Sequence, residues 1–220
     1  MAASDDVAPP ELGEEPGSED ALLLALLLRG ALSIEELAVA SGVSSNDAER
    51  DVERLRAEGL LGVEPRPLGE ALALTASGRE RASAVLAREA DTLRPWLEPR
   101  YGAFMALDRR VKQALHRWQV RTDLGADRPN DHRDRRYDAL VLAELRAVHA
   151  EADAWLAPLA AARRRYASLR ARLAGALERA ARGDVRAVAG VVGDSFHLAW
   201  WQLHADLLRI LDRERGPEDA

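Results

Sequence analysis

Ser33-Ile34-Glu35-Glu36-Leu37-Ala38-Val39-Ala40-Ser41-Gly42-Val43-Ser44-Ser45-Asn46-Asp47-Ala48 is the stretch whose reading decides the fold. Ser33 is a good helix N-cap, and Glu36, three residues on, completes a capping box. The helix that follows turns Ile34, Leu37 and Ala38 toward a core. Gly42 closes it, because a glycine after a short helix takes positive φ and lets the chain turn sharply. Ser44 or Ser45 then caps a further helix, whose apolar residues Ala48, Val52 and Leu55 stand four and three apart and make one buried stripe.

Upstream, Asp20 to Arg29 reads as a compact helix, apolar nearly all round and therefore buried, and ended by Gly30. Downstream, Gly59 terminates the third helix and Leu60, Leu61 and Val63 form a short strand. Glu64 to Gly69, with Pro65 and Pro67, reads as a tight loop, and Leu72 and Leu74 alternate with alanines in a returning strand. Thr75 caps the next helix. The order helix, helix, helix, strand, loop, strand, helix predicts a winged helix-turn-helix, three helices plus a two-stranded wing, over residues 20–91.

Residues 1–19 read as a disordered acidic tail, rich in proline and glycine and poor in apolar residues. From Thr92 the pattern is helical throughout. One helix is expected from about Pro95 to Val120, carrying Leu97, Tyr101, Phe104, Leu107, Val111, Leu115 and Trp118. A polar loop, Asp123 to Asp131, follows. Further helices are expected from about Asp134 to Leu156, stopped or kinked by Pro158, from Ala162 to Arg182, from Asp184 to Val188 and from Val192 to Asp212. Long helices with short links make a bundle. The fold class is thus mainly α: a winged helix-turn-helix, then an all-α dimerisation and effector domain over residues 92–215.

Composition narrows the function. Apolar residues make up 47% of 220 residues, enough to bury a sizeable core. There is no cysteine, so disulfides and thiolate metal sites are excluded. The acidic start does not resemble a secretory signal, and the apolar run Ala21 to Leu28 is far shorter than the roughly 20 residues a membrane span needs. A cytoplasmic location and no membrane association follow as expectations. The net charge is −6. It is carried by residues 1–91, the remainder being net basic, so no strong electrostatic footprint for nucleic acid stands out. Of the basic residues only Lys112 is a lysine.

Ile34-Glu35-Glu36-Leu37-Ala38, Gly42-Val43-Ser44, Leu55-Arg56-Ala57-Glu58-Gly59-Leu60-Leu61 and Leu74-Thr75-Ala76-Ser77-Gly78-Arg79 occur here in that order. Together they resemble the MarR-like transcription regulators, which place a Leu-Thr-x-x-Gly turn just after the wing. The match covers about a third of the chain. Asn130-Asp131-His132-Arg133-Asp134, Tyr137-Asp138, Asp194-Ser195-Phe196-His197 and Trp200-Trp201-Gln202-Leu203-His204 resemble a helical domain. That domain occurs in some stand-alone bacterial regulators and beside enzymes of the pyruvate phosphate dikinase kind, whose phosphotransfer motifs are lacking here.

In the winged fold the third helix enters the major groove with its N-terminal residues at base edges. Its candidate DNA-binding residues are Ser44, Ser45, Asn46, Arg50 and Arg54, with Arg66 at the wing tip reaching the minor groove or backbone. Asn46 suits adenine and Arg50 guanine. Asp47, Glu49, Asp51 and Glu53 crowd the same helix and oppose phosphates; paired with arginines at helical spacing they also fit a solvated charged face.

The five histidines all follow residue 115. His197 and His204 are two turns apart on one helix face, with Asp194 preceding and Trp201 between them. Trp118, His132, Asp134, Tyr137, Asp194, His197, Trp201 and His204 are candidates for an effector pocket or a buried polar network; no metal or cofactor is assigned. The tryptophans fit core or dimer contacts. Arg163-Arg164-Arg165 reads as a solvated face, and so do Arg133, Arg135 and Arg136, although these flank His132 and suit an anion. No glycine-rich phosphate loop, nucleophile elbow or His-Glu-x-x-His is present. The expected protein is a non-catalytic, dimeric regulator that binds double-stranded DNA at a palindromic operator and takes a small-molecule effector. The alternative is an accessory interaction module that regulates a phosphoenolpyruvate-linked enzyme.

Overall fold

The computed structural model describes residues 12–66, 69–123, 126–190, 194–214 and 216. The chain is mainly helical, with small antiparallel two-stranded sheets. Helix α1 (Ser18–Arg29) buries the consecutive residues Leu22 to Leu26, because α2 (Ile34–Ser41), α3 (Ser45–Ala57) and α4 (Ala76–Leu97) pack around it. The capping box at α2 is formed: Ser33 N donates to Glu36 Oε2 at 2.9 Å and Glu36 N to Ser33 Oγ at 3.2 Å. Ser44 caps α3 by accepting from Asp47 N at 3.2 Å. Gly42 has φ +72°, and a Cβ there would stand 2.6 Å from the carbonyl oxygen of Arg164. Only glycine satisfies both the turn and that contact.

Strands β1 (Leu61–Arg66) and β2 (Gly69–Leu74) pair with Leu61 opposite Leu74 and Val63 opposite Leu72. The strand therefore runs through Glu64, Pro65 and Arg66, where a loop was expected; Pro67 and Leu68 lie outside the described residues. Both strands of a two-stranded ribbon are edges, so Pro65 interrupts no central ladder. Leu32 also bridges to Leu72. Thr75 caps α4, and a Cβ at Gly78 would fall 2.0 Å from the Leu60 carbonyl oxygen, so the helix start is pressed onto the hairpin.

Helix α4 spans the boundary expected between residues 91 and 92. Its first half places Ala82 in the core of α1 to α3 and the hairpin; its second half places Leu93, Trp96 and Leu97 in a second, larger core. A 3-10 turn at Glu98–Arg100 separates it from α5 (Tyr101–Gln119), so the single helix expected from Pro95 to Val120 is broken. The polar loop expected after it contains β3 (Val120–Asp123) and β4 (Ala126–Pro129), paired with Val120 opposite Pro129. Residues 126–129 are all exposed, and without a buried face the strand leaves no apolar alternation in sequence. The C-terminal part is therefore not wholly helical.

Helix α6 (Arg135–Ala162) carries Pro158 inside it and runs on past Leu156. It packs between α5 and α7 (Arg164–Ala181). A short α8 (Arg186–Ala189) and α9 (Phe196–Leu211) complete the bundle; residues 191–193, where α9 was expected to begin, lie outside the described part.

The two halves are joined by a buried ionic cluster at the α6–α7 break. Arg163 and Arg165 are 1% and 8% exposed, Glu89 4% and Asp206 5%. Arg163 Nε donates to both Glu89 oxygens at 2.9 and 3.0 Å, and its Nη2 donates to the Leu12 carbonyl at 2.6 Å. Arg165 also pairs with Glu89, and its Nε donates to Asp206 at 3.0 Å. Burial and Asp206 push the Tyr166 hydroxyl pKa up. The arginine run is thus a core element rather than a solvated face, with only Arg164 turned toward the surface and paired with Glu15 at 3.0 Å. Leu12 is itself buried, so residues 12–19, expected to belong to a disordered tail, pack against the bundle; residues 1–11 are outside the described part. Removing one member of a buried, hydrogen-bonded ion pair leaves a charge uncompensated. Glu89→Gln is therefore expected to lower the unfolding free energy by about 3–5 kcal/mol in urea denaturation, and a loss below about 1 kcal/mol would refute the cluster's structural role.

Candidate functional site

Helix α3 buries Ala48, Asp51, Val52 and Leu55 and exposes Ser44, Ser45, Asn46, Glu49, Arg50, Glu53 and Arg54. The outward set matches the expected reading face. Its electrostatics differ from a simple basic patch. Arg50 pairs with Asp47 at 2.6 Å and with Asp51 at 3.4 Å; Arg54 pairs with Asp51 and, at 3.2 Å, with Glu19 of α1. Asp51 is fully buried. Burial opposes its charge, but hydrogen bonds from Ser18 and Arg54, with both arginine charges, hold its pKa below the ordinary value. The Ser44 hydroxyl and Arg50 do the same for Asp47. Glu49 and Glu53 have no ion-pair partner among the described residues.

Arg66 lies at the tip end of the hairpin, opposite Gly69, but its side chain does not reach outward. It bends onto the α1–α2 connection, bonded to Glu36 at 3.1 Å and to the Ala31 carbonyl. The α2–α3 turn lies against α7: besides the Gly42 contact, Ser168 Oγ donates to the Val39 carbonyl at 2.6 Å. Sequence reading missed this neighbour, since nothing in the spacing of α2 announces a partner more than a hundred residues away.

The eight candidates for an effector pocket separate into three places. Trp118, His132, Asp134 and Tyr137 gather where α5, the second hairpin and α6 meet. Asp134 caps α6, accepting from Arg136 N at 3.2 Å and Tyr137 N at 3.1 Å, and pairs with Arg121 at 3.2 Å. Tyr137 donates its hydroxyl to the Arg117 carbonyl at 3.0 Å. Trp118 donates to the Val185 carbonyl at 3.3 Å, and its ring centroid is 4.9 Å from that of His132. His132 holds positive φ, +58°, a conformation that costs a non-glycine residue energy. Its Nδ1 stands 3.1 Å from Asp138 Oδ2, and Asn130 Nδ2 donates to Asp138 Oδ1 at 2.8 Å and to the Trp118 carbonyl at 3.0 Å. Of these residues Trp118, His132 and Asp138 border an open cavity of about 430 Å³. Asn130 and Asp138, the orienting partners, lie within the quoted segments but were not singled out.

His204 lies elsewhere, 2% exposed in the bundle core. Its Nε2 is 3.1 Å from Tyr101 Oη and its Nδ1 3.5 Å from Asp108. Trp200 donates to Asp108 at 2.8 Å and Lys112 approaches it at 3.2 Å. Burial resists the Asp108 charge, but His204, Trp200 and Lys112 outweigh it and lower the pKa. The signal for this acid was present: Asp108 sits within the apolar stripe of Phe104, Leu107 and Val111.

At the third place Asp194 pairs with Arg172 at 2.7 Å below the start of α9. His197 has a buried Nδ1 with no hydrogen-bond partner among the described residues. Trp201 is 46% exposed and borders a narrow cleft with Leu28, Arg29 and Arg172. Burial and the Arg172 charge push the Arg29 pKa down to about 10. The cleft holds about 40 Å³, room for little more than water. His197, Trp201 and His204 therefore share a helix but not a site. Among the described residues no three His, Asp or Glu side chains converge as a metal site, and no helix is long and apolar enough to cross a membrane. Comparison of the chain with known protein families, curated proteins and solved structures finds no match.

The depressed Asp108 pKa gives a testable pH dependence. Its contribution is present above the unfolded-state value of about 3.9 and is lost as pH falls through the lower folded value. Asp108→Asn is expected to cost about 1–3 kcal/mol at neutral pH and to flatten the acid limb of stability below about pH 4. Unfolding midpoints measured across that range check it; a parallel acid limb in the variant would contradict it.

Proposed function

We propose that this chain is a non-catalytic DNA-binding transcriptional regulator of MarR-like, winged-helix type. Its helical bundle would dimerise and take a small-molecule effector, and its place of work would be the cytoplasm. The carrying observation is the succession α2, the left-handed Gly42 turn, α3 and the β1–β2 hairpin, with the polar face of α3 exposed. In the winged-helix reading α3 enters the major groove, Asn46 addresses adenine and Arg50 guanine. Ser45 and Asn46 lie at the helix start, where free amides favour a phosphate. Arg66, held on Glu36, would brace the hairpin rather than enter the minor groove.

The paired arginines shape the energetics. A base or phosphate must compete with Asp47 and Asp51 for Arg50 and Arg54, and Glu49 and Glu53 repel the backbone. Weak binding to random DNA and a shallow salt dependence follow, so that specificity rests on base contacts. A homodimer would read a palindromic operator.

The same carboxylate pairing favours a second reading, an accessory module that docks on a metabolic, phosphoenolpyruvate-linked enzyme through the acidic face of α3. Co-purification of such an enzyme, lost on charge reversal of Glu49 and Glu53, would favour it.

Footprinting of genomic fragments is expected to give a two-fold symmetric protected site. Arg50→Ala should weaken that site about ten- to a hundredfold and relax preference at one base. Glu49→Gln with Glu53→Gln should strengthen binding to random DNA. Absence of retardation above random DNA, even at low salt, would remove the regulator reading.

A further inference from the structure

The cavity beside His132 has the composition of an anion site. It is bordered by Arg135, at the start of α6, and Arg182, just past the end of α7. Of the three arginines around His132 only Arg135 borders it. Among the described residues Arg135 has no carboxylate partner, and Arg182 has only a distant one, Glu178 at 4.0 Å.

The His132 imidazole borders the same cavity and is held by its neighbours. Asp138 engages Nδ1, and both Asp138 oxygens are committed, to His132 and to Asn130. That leaves Nε2 as the ring nitrogen without a partner among the described residues. The fixed ring lies against Trp118, and the unusual backbone of His132 puts it there. His132 holds a positive φ that glycine would adopt at less cost, and its ring contacts with Trp118 and Asp138 accompany it.

We propose that this cavity binds a small phosphomonoester, with its phosphate held by Arg135, Arg182 and His132 Nε2. Two guanidinium forks and an imidazole offer more donors than a carboxylate's two oxygens can use, and they match the three oxygens and double charge of a phosphate ester. Nε2 can exchange a hydrogen bond with a phosphate oxygen while Asp138 engages Nδ1. Leu142, Ala139 and Val185 form the apolar remainder of the wall. At about 430 Å³ the cavity exceeds what inorganic phosphate alone would fill, so a short carbon skeleton completes the ligand. The inference concerns ligand binding alone and stands whether or not α3 binds DNA.

Titration calorimetry of the full chain with glycerol 3-phosphate, inorganic phosphate, succinate and glycerol tests it. Saturable binding of glycerol 3-phosphate is expected, tighter than inorganic phosphate and succinate, with none for glycerol. Arg135→Gln and Arg182→Gln should each weaken it about tenfold. Arg135 and Arg182 are exposed, so both arginine variants should keep the unfolding midpoint while losing affinity. His132→Gly accepts the positive φ but gives up the Asp138 and Trp118 contacts, so its affinity is read beside its own midpoint. Absence of saturable heat with glycerol 3-phosphate up to about 10 mM, equal binding of succinate, or unchanged affinity in His132→Gly and Arg135→Gln would each overturn the proposal.

Discussion

The ionic cluster of Glu89, Arg163, Arg165 and Asp206 is the constraint on which the rest of the arrangement depends. Two guanidiniums and two carboxylates are removed from water at one point, and such groups are tolerated only when each is paired and hydrogen-bonded. Glu89 comes from α4, the arginines from the α6–α7 break and Asp206 from α9. The Arg163 guanidinium also collects the carbonyls of Leu12, Gly13 and Ala162. Any displacement of these segments would leave a charge stranded, so their mutual placement is fixed far more sharply than apolar packing alone would fix it.

This junction explains why the N-terminal unit does not hang free. Helix α4 is shared between the two cores, and the α2–α3 turn is seated on α7 through Gly42 and Ser168. The orientation of the exposed α3 face is therefore tied to the bundle. A regulator whose bundle responds to a ligand would have a direct mechanical route from α7 to the start of α3, the same α7 whose far end borders the His132 cavity.

Polar side chains serve two different ends in the bundle. Around His204 and Asp108 the polar contacts are buried among aromatic rings, and the result is a specific core. Around His132 the same kind of carboxylate–imidazole pair stands at the wall of an open cavity, with cations beside it. Burial and space, rather than residue type, separate structure from candidate chemistry.

Local signals were legible in the sequence wherever a short-range rule acts. The capping box of Ser33 and Glu36, the cap at Thr75, the turn at Gly42 and the buried stripe of Ala48, Val52 and Leu55 each depend on neighbours within a few residues, and each was read correctly, while the α3 cap was narrowed to Ser44 or Ser45. Only the tertiary structure decided which arginines of the 163–165 run are buried, that Leu12 anchors the residues before α1, that β3 and β4 pair, and that the histidines of α9 do not share a site. Those outcomes depend on partners many tens of residues away or on a backbone pairing with no apolar face, and residue spacing along the chain carries neither.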